Sequence, residues 1–119
     1  MTRVKRGIQT KKRHRKILRQ AKGYWGGNRR LIRSAKEAVN HAMQYAYMHR
    51  RTRKREMRTL WIARISAAVK PHGVNYSKFM YGLNTAGIVL DRKQLADLAV
   101  KDSTAFAAIV EQAKQGAPS

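Results

Sequence analysis

The chain has 119 residues, with 27 Lys and Arg against 6 Asp and Glu for a formal net charge of +21, and it contains no cysteine. That length is one domain's worth of material with room for an extension, and the missing cysteine excludes disulfides, Cys-ligated zinc and thiol chemistry. Such an excess of cations points to a polyanionic partner, whether nucleic acid, an acidic surface or an anionic membrane, although no apolar run approaches the ~18 residues of a membrane span.

The first eight residues carry Arg3, Lys5 and Arg6 before Gly7 and show no helical period, which reads as an arm, disordered when free. They are basic without a following apolar stretch or small-residue cleavage site, so no secretory signal is expected. From Gln9 to Lys22, seven cations surround Ile17, Leu18 and Ala21, whose spacing gives one narrow apolar stripe. This predicts a helix that is marginal in water, because short helices need a packed face. Gly23 supplies its stop and Gly26-Gly27 a flexible corner, with Tyr24 and Trp25 between them. These two rings either stack on exposed bases or staple the corner between two helices.

Arg29 to Lys70 contains neither Gly nor Pro, which cost ~1 and ~3 kcal/mol in a helix interior, and Pro71 follows directly. One long helix can fill the stretch. At about 100° per residue, Arg33, Lys36, Asn40, Gln44, Tyr47, Arg51, Lys54 and Arg58 form a basic and polar stripe. Leu31, Ala35, Ala38, Val39, Ala42 and Ala46 form a second stripe, apolar and mostly small. Tyr45 and Tyr47 face different sides. The segregation fails at Arg50-Arg51-Thr52-Arg53-Lys54-Arg55, five cations in six residues that occupy more than half the circumference. Between Lys36 and Arg64 only Glu37 and Glu56 are available to offset them. The segment therefore reads as threaded between phosphate backbones rather than as a solvated face. From Met57, core spacing returns through Leu60, Trp61, Ile65 and Ala68, which assigns Trp61 to a core rather than to a contact.

Pro71-His72-Gly73 ends the long helix. Asn75 or Ser77 can cap the next one, which carries Tyr76, Phe79, Met80 and Leu83 and ends near Gly87. After the apolar link Ile88-Val89-Leu90, Asp91 and Gln94 form a capping box for a helix with Leu95, Leu98 and Ala99 inward. Asp102 or Ser103 caps a last helix with Phe106, Ile109, Val110 and Ala113 on one face and Gly116 as its stop. No stretch alternates with period two. The expected fold class is all-α: extended basic N-terminal helices, one of them long, leading into a small C-terminal helical bundle. The extension is expected over residues 1–58 and the globular domain over 59–119. Charge divides in the same sense, with 22 cations and 2 acids in residues 1–70 against 5 and 4 in residues 71–119. A bundle of this size is only marginally stable alone.

Catalytic chemistry is not indicated. His14, His41, His49 and His72 make no HxxxH pair or acid-linked cluster, so no metal site is expected. Asp91 and Asp97 read as a cap and a surface charge rather than as an acid/base pair. The glycines around Tyr24 and Trp25 lack the GxxxxGK[ST] pattern of a phosphate loop. No cofactor is expected.

Five blocks carry a family resemblance: Arg3-Val4-Lys5-Arg6-Gly7, Ala21-Lys22-Gly23-Tyr24, Leu60-Trp61-Ile62-Ala63-Arg64-Ile65, Tyr76-Ser77-Lys78-Phe79, and Asp91 to Ala99. Together they resemble the ribosomal protein L20 family of the bacterial large subunit, over nearly the whole chain and in order. The Leu-Trp-Ile-Ala-Arg-Ile block is the specific one. Departures are mild: Thr2 stands where Pro is usual, Met57 where Phe is frequent, and Asn28 where a basic residue is frequent, leaving that corner to Arg29 and Arg30.

The resemblance implies a non-enzymatic protein of the bacterial cytoplasm that binds large-subunit 23S rRNA early in assembly. Its basic extension would penetrate rRNA while the helical domain sits nearer the surface, beside neighbouring ribosomal proteins. It also implies, in some bacteria, repression of the protein's own mRNA. No homo-oligomer and no membrane partner are expected. The candidate RNA contacts in the arm and first helix are Arg3, Lys5, Arg6, Lys11, Lys12, Arg13, Arg15, Lys16 and Lys22. At the corner they are Tyr24, Trp25, Arg29 and Arg30, and along the long helix Arg33, Lys36, Arg50, Arg51, Arg53, Lys54, Arg55 and Arg58. In the C-terminal domain they are Lys78, Arg92 and Lys93. The alternative is a basic helical DNA-compacting protein, which would more often dimerise and read groove shape. A membrane-active amphipathic helix needs a continuous bulky apolar face, and the central cations interrupt it.

Overall fold

The structure, a computed structural model, describes residues 2–117. These residues form five α-helices joined by short links, and no strand occurs among them. Two compact units are present, one ending at Arg51 and the other beginning at Thr52. The first residue of the expected arm, Met1, lies outside the described residues.

In the first unit, helix α1 spans Gly7–Gln20, so regular structure begins two residues earlier than the apolar stripe suggests. Ile17, Leu18 and Tyr24 pack against the buried trio Ala21, Ala35 and Val39. Alanines at two of those three places let the backbones approach closely, and this small cluster is all the buried core among the unit's described residues. Gly23, at φ +84°, takes the left-handed conformation that turns the chain after α1.

The long helix, α2, spans Ile32–Val69. It starts three residues later than the Gly- and Pro-free stretch because Gly26–Arg29 form a 3-10 turn. Gly26 enters that turn at φ +58°. The N–H groups of Arg30 and Leu31 both donate to the Gly27 carbonyl, at 3.1 and 2.8 Å. At the other end Pro71 cannot donate to a helical ladder, so Lys70–His72 tighten into a second 3-10 turn. Gly73 closes it at φ +73°.

Within α2 the cationic segment is braced by its own neighbours. The Arg51 guanidinium lies 4.0 Å from the centroid of the Tyr47 ring, and its Nη1 donates to the Tyr47 carbonyl at 3.2 Å. The Thr59 hydroxyl donates back to the Arg55 carbonyl at 2.9 Å. His41, Tyr45 and His49, four residues apart in turn, stack with ring centroids 6.3 and 5.7 Å apart. Pairs at this spacing each support an isolated helix by roughly 0.2–0.5 kcal/mol.

The second unit gathers the end of α2 with α3 (Tyr76–Thr85), α4 (Arg92–Lys101) and α5 (Ser103–Gly116). Ile65, Val69, Phe79, Leu83, Leu95, Ala96, Phe106, Val110 and Ala113 form its buried core. Phe79 and Phe106 meet with centroids 5.7 Å apart and planes tilted by 47°. The line Trp61–Ile65–Val69, at i, i+4 and i+8, is the face of α2 turned to this core. Val69 is a core position that the sequence spacing leaves out, while Met57, one step back along the same line, and Leu60 beside it keep 37% and 41% of their surface exposed.

Caps set the helix starts. Asp91 accepts from the Gln94 N–H at 2.8 Å while the Asp91 N–H donates to Gln94 Oε1 at 3.1 Å, the reciprocal box expected from sequence. Asp102, rather than Ser103, caps α5. Its Oδ1 accepts from the Thr104 hydroxyl at 2.6 Å and from the Ala105 and Thr104 N–H groups at 3.0 and 3.1 Å. These bonds, the Thr104 hydroxyl foremost, hold its carboxyl below the ordinary carboxylate value. Asn75 holds the N-cap position of α3 with extended backbone but makes no side-chain capping bond.

Candidate nucleic-acid interface

Phosphate binding needs cations that are exposed and not already neutralised. Every candidate cation named from the sequence is exposed except Arg92, which is half-buried. The ion pairs among the described residues, Lys101–Asp97 and Lys114–Glu111, are both 2.8 Å long and use none of the candidates.

In the second unit, two stretches nearly forty residues apart in sequence meet at one open groove of about 480 Å³. Lys54, Arg55 and Arg58 line it from α2, Arg92 and Lys93 from the start of α4, with Trp61 and Asp91 between them. Each side chain has a local reason for its place. Lys54, Arg58 and Trp61 are spaced by four and three residues, hence on one face of α2, and the buried Ile65 and Val69 below them fix the rotation of that face. The Asp91–Gln94 box fixes the first turn of α4, and so puts Arg92 and Lys93 at its first two positions. Asp91, the one acid lining the groove, already accepts from the Gln94 N–H and so turns part of its charge toward the helix start.

A second depression of about 440 Å³ shares Trp61, Asp91 and Lys93 and continues past Met57, Arg64, Gln94 and Asp97. The combined surface brings six cations and the acids Asp91 and Asp97 together with the apolar Trp61 and Met57. Such a surface can take phosphate on its cations, preferentially through bidentate arginine contacts, and a ribose or an unpaired base against its apolar side chains.

The remaining candidates are distributed rather than gathered. Arg3, Lys5 and Arg6 lie on or next to the non-helical arm, and Lys11, Lys12, Arg13, Arg15 and Lys16 ring α1. Lys22, Arg29 and Arg30 flank the turn, and Arg33, Lys36, Arg50, Arg51 and Arg53 follow along α2. Lys78 is exposed on α3 but does not line the groove. The two corner aromatics separate: Tyr24 packs on the Ala21–Ala35–Val39 cluster, whereas Trp25 is 92% exposed.

Trp61 and Arg64, which line the groove or its continuation, and Tyr76, which bonds the groove residue Arg92, are not among the sequence candidates. Trp61 belongs to the core edge and to the groove together, so the helical period found only half of its role. Arg64 is passed over because it stands alone amid apolar residues. Tyr76 bonds Arg92 from 16 residues away, a pairing no local spacing announces.

No group of three or more His, Cys, Asp or Glu side chains suited to a metal ion occurs among the described residues. None of their helices is long and apolar enough to cross a membrane.

The family described as ribosomal protein L20 matches residues 3–109. A protein named large ribosomal subunit protein bL20 from Roseiflexus sp. (strain RS-1) is 57% identical over 115 residues, spanning 97% of this chain and 98% of its own length. The bL20 protein of Roseiflexus castenholzii (strain DSM 13941 / HLO8) is 56% identical over the same extent. With a family match across most of its helices and relatives alike almost end to end, the chain belongs to the ribosomal protein L20 family.

Proposed function

We propose that the chain is a structural, non-catalytic component of the bacterial large ribosomal subunit that binds 23S rRNA directly and supports early assembly of that subunit. The observation that carries this reading is the convergence of Lys54, Arg55, Arg58, Arg92 and Lys93 on one groove, in a chain of the ribosomal protein L20 family. Five cations facing one acid are self-repelling in a free protein; a polyanion relieves the repulsion. The cations of the arm, of α1 and of the first part of α2 extend the phosphate-binding surface, and Trp25 adds an exposed ring for stacking. The family match and the names of the relatives favour this reading over DNA compaction. Its finer parts are binding as a single copy, contact with neighbouring large-subunit proteins, and use of the same cations on the protein's own mRNA.

The test replaces Arg50, Arg51, Arg53, Lys54 and Arg55 together by Gln. We expect large-subunit assembly to stop, seen as loss of the subunit peak in a sucrose gradient, while the second unit keeps its thermal transition because none of the five lies in its core. Normal subunit yield from that variant would refute the phosphate-threading role.

A further inference from the structure

Arg92 differs from the other cations of the groove. It is half-buried, and its Nε donates to the Tyr76 hydroxyl oxygen at 2.8 Å. Tyr76 in turn packs its ring against the bundle core, so the hydroxyl is a fixed point rather than a mobile surface group. Lys54, Arg55, Arg58 and Lys93 are exposed and make no side-chain hydrogen bond or ion pair among the described residues.

A guanidinium offers phosphate two bidentate edges: the side edge, through Nε and one Nη, or the end edge, through both Nη atoms. With Nε engaged by Tyr76, the side edge is closed and the end edge remains for a ligand in the groove. We infer that Tyr76 is a positioning residue that presets Arg92 as an end-on, bidentate phosphate contact. This assignment rests on the rRNA-binding reading above. Its physical consequence is entropic: an arginine already held in place loses little rotamer freedom on binding, whereas its free neighbours must be immobilised by the RNA itself.

The experiment uses the full chain and a full-length 23S rRNA transcript, titrated at several salt concentrations. Tyr76→Phe keeps the ring and its packing and removes only the acceptor. It should weaken binding by about two- to tenfold, the range set by leaving one long side chain to be ordered on binding. Because no charge is lost, the slope of log K against log salt should stay that of the wild type. Arg92→Ala should instead reduce that slope by about 0.7–0.9, one phosphate contact. In the Arg92→Ala and Arg92→Lys backgrounds, the second lacking the planar fork but keeping the charge, Tyr76→Phe should have no further effect.

Unchanged affinity for Tyr76→Phe overturns the assignment, and so does an equal loss in both Arg92 backgrounds, which would mean that Tyr76 acts through the core. A wild-type chain that binds the 23S transcript no better than an unrelated RNA of equal length overturns the rRNA reading itself, and the assignment with it.

Discussion

Tyr24 and Trp25 are adjacent aromatic residues with different environments. Gly23, at φ +84°, turns the chain so that Tyr24 meets Ala21, Ala35 and Val39 and Trp25 is left 92% exposed. From sequence, stacking and stapling were both open for the pair. Which ring is covered depends on a backbone turn and on residues eleven to fifteen positions away, neither of which has a local signature. An exposed indole contributes almost nothing to a free protein, but base–aromatic stacking contributes about 1–3 kcal/mol per base. Trp25→Ala should therefore shift the unfolding free energy by no more than about 0.5 kcal/mol while lowering 23S rRNA affinity about five- to a hundredfold. Paired melting curves and filter-binding titrations would show it. An equal loss of stability and affinity would assign Trp25 to the fold instead.

At the scale of elements, what periodicity and caps express was legible and what depends on close approach was not. The Asp91–Gln94 box and the Pro71 stop are local chemistry, and both are present. The sequence places the start of α2 early, at Arg29, because neither Gly nor Pro follows until Pro71. The glycines before Arg29 permit a 3-10 turn that propensity does not foresee. Gly82 is a stronger case, because inside a helix it reads only as a weak position costing ~1 kcal/mol against Ala. In the fold it lies where α3 meets α5, and a Cβ there would run into the backbone carbonyl of Ala113. Gly116 sits in the same contact, its own added Cβ falling 2.8 Å from the Gly82 carbonyl oxygen. The obstacle is backbone on both sides, so no rotamer change relieves it. Gly82→Ala should destabilise the second unit by at least about 2 kcal/mol despite the helix propensity it gains, since overpacking typically costs ~1–3 kcal/mol and more where nothing yields. Urea denaturation followed by far-UV circular dichroism would measure this, and a stabilised variant would disprove the close α3–α5 contact.

For the molecule as a whole, charge and core are assigned to different stretches of chain. The buried side chains of the second unit come from the end of α2 and from α3 to α5, while 22 of the 27 cations precede residue 71. The groove is the exception, because Lys54, Arg55 and Arg58 are joined there by Arg92 and Lys93. The sequence displayed these as two separate clusters, and only the packing of α2 against the bundle makes them one surface. Such a charge distribution gives salt two opposite effects. In the free chain, like charges repel across distances below the Debye length, which shrinks from roughly 30 Å at 0.01 M to roughly 8 Å at 0.15 M salt. Added salt should therefore raise the thermal midpoint and the helical signal, most of all through Arg50–Arg55. In the complex, each contacted phosphate contributes about 0.7–0.9 to the slope of log K against log salt. Engagement of the five groove cations alone then requires a slope steeper than about −3.5. Melting the free chain and titrating 23S rRNA across the same salt series tests both signs in one preparation. A midpoint that fell with salt would mean that attractive ion pairs, not repulsion, dominate the free chain. A slope shallower than about −1.5 would mean that most of the groove cations stay hydrated when the RNA is bound.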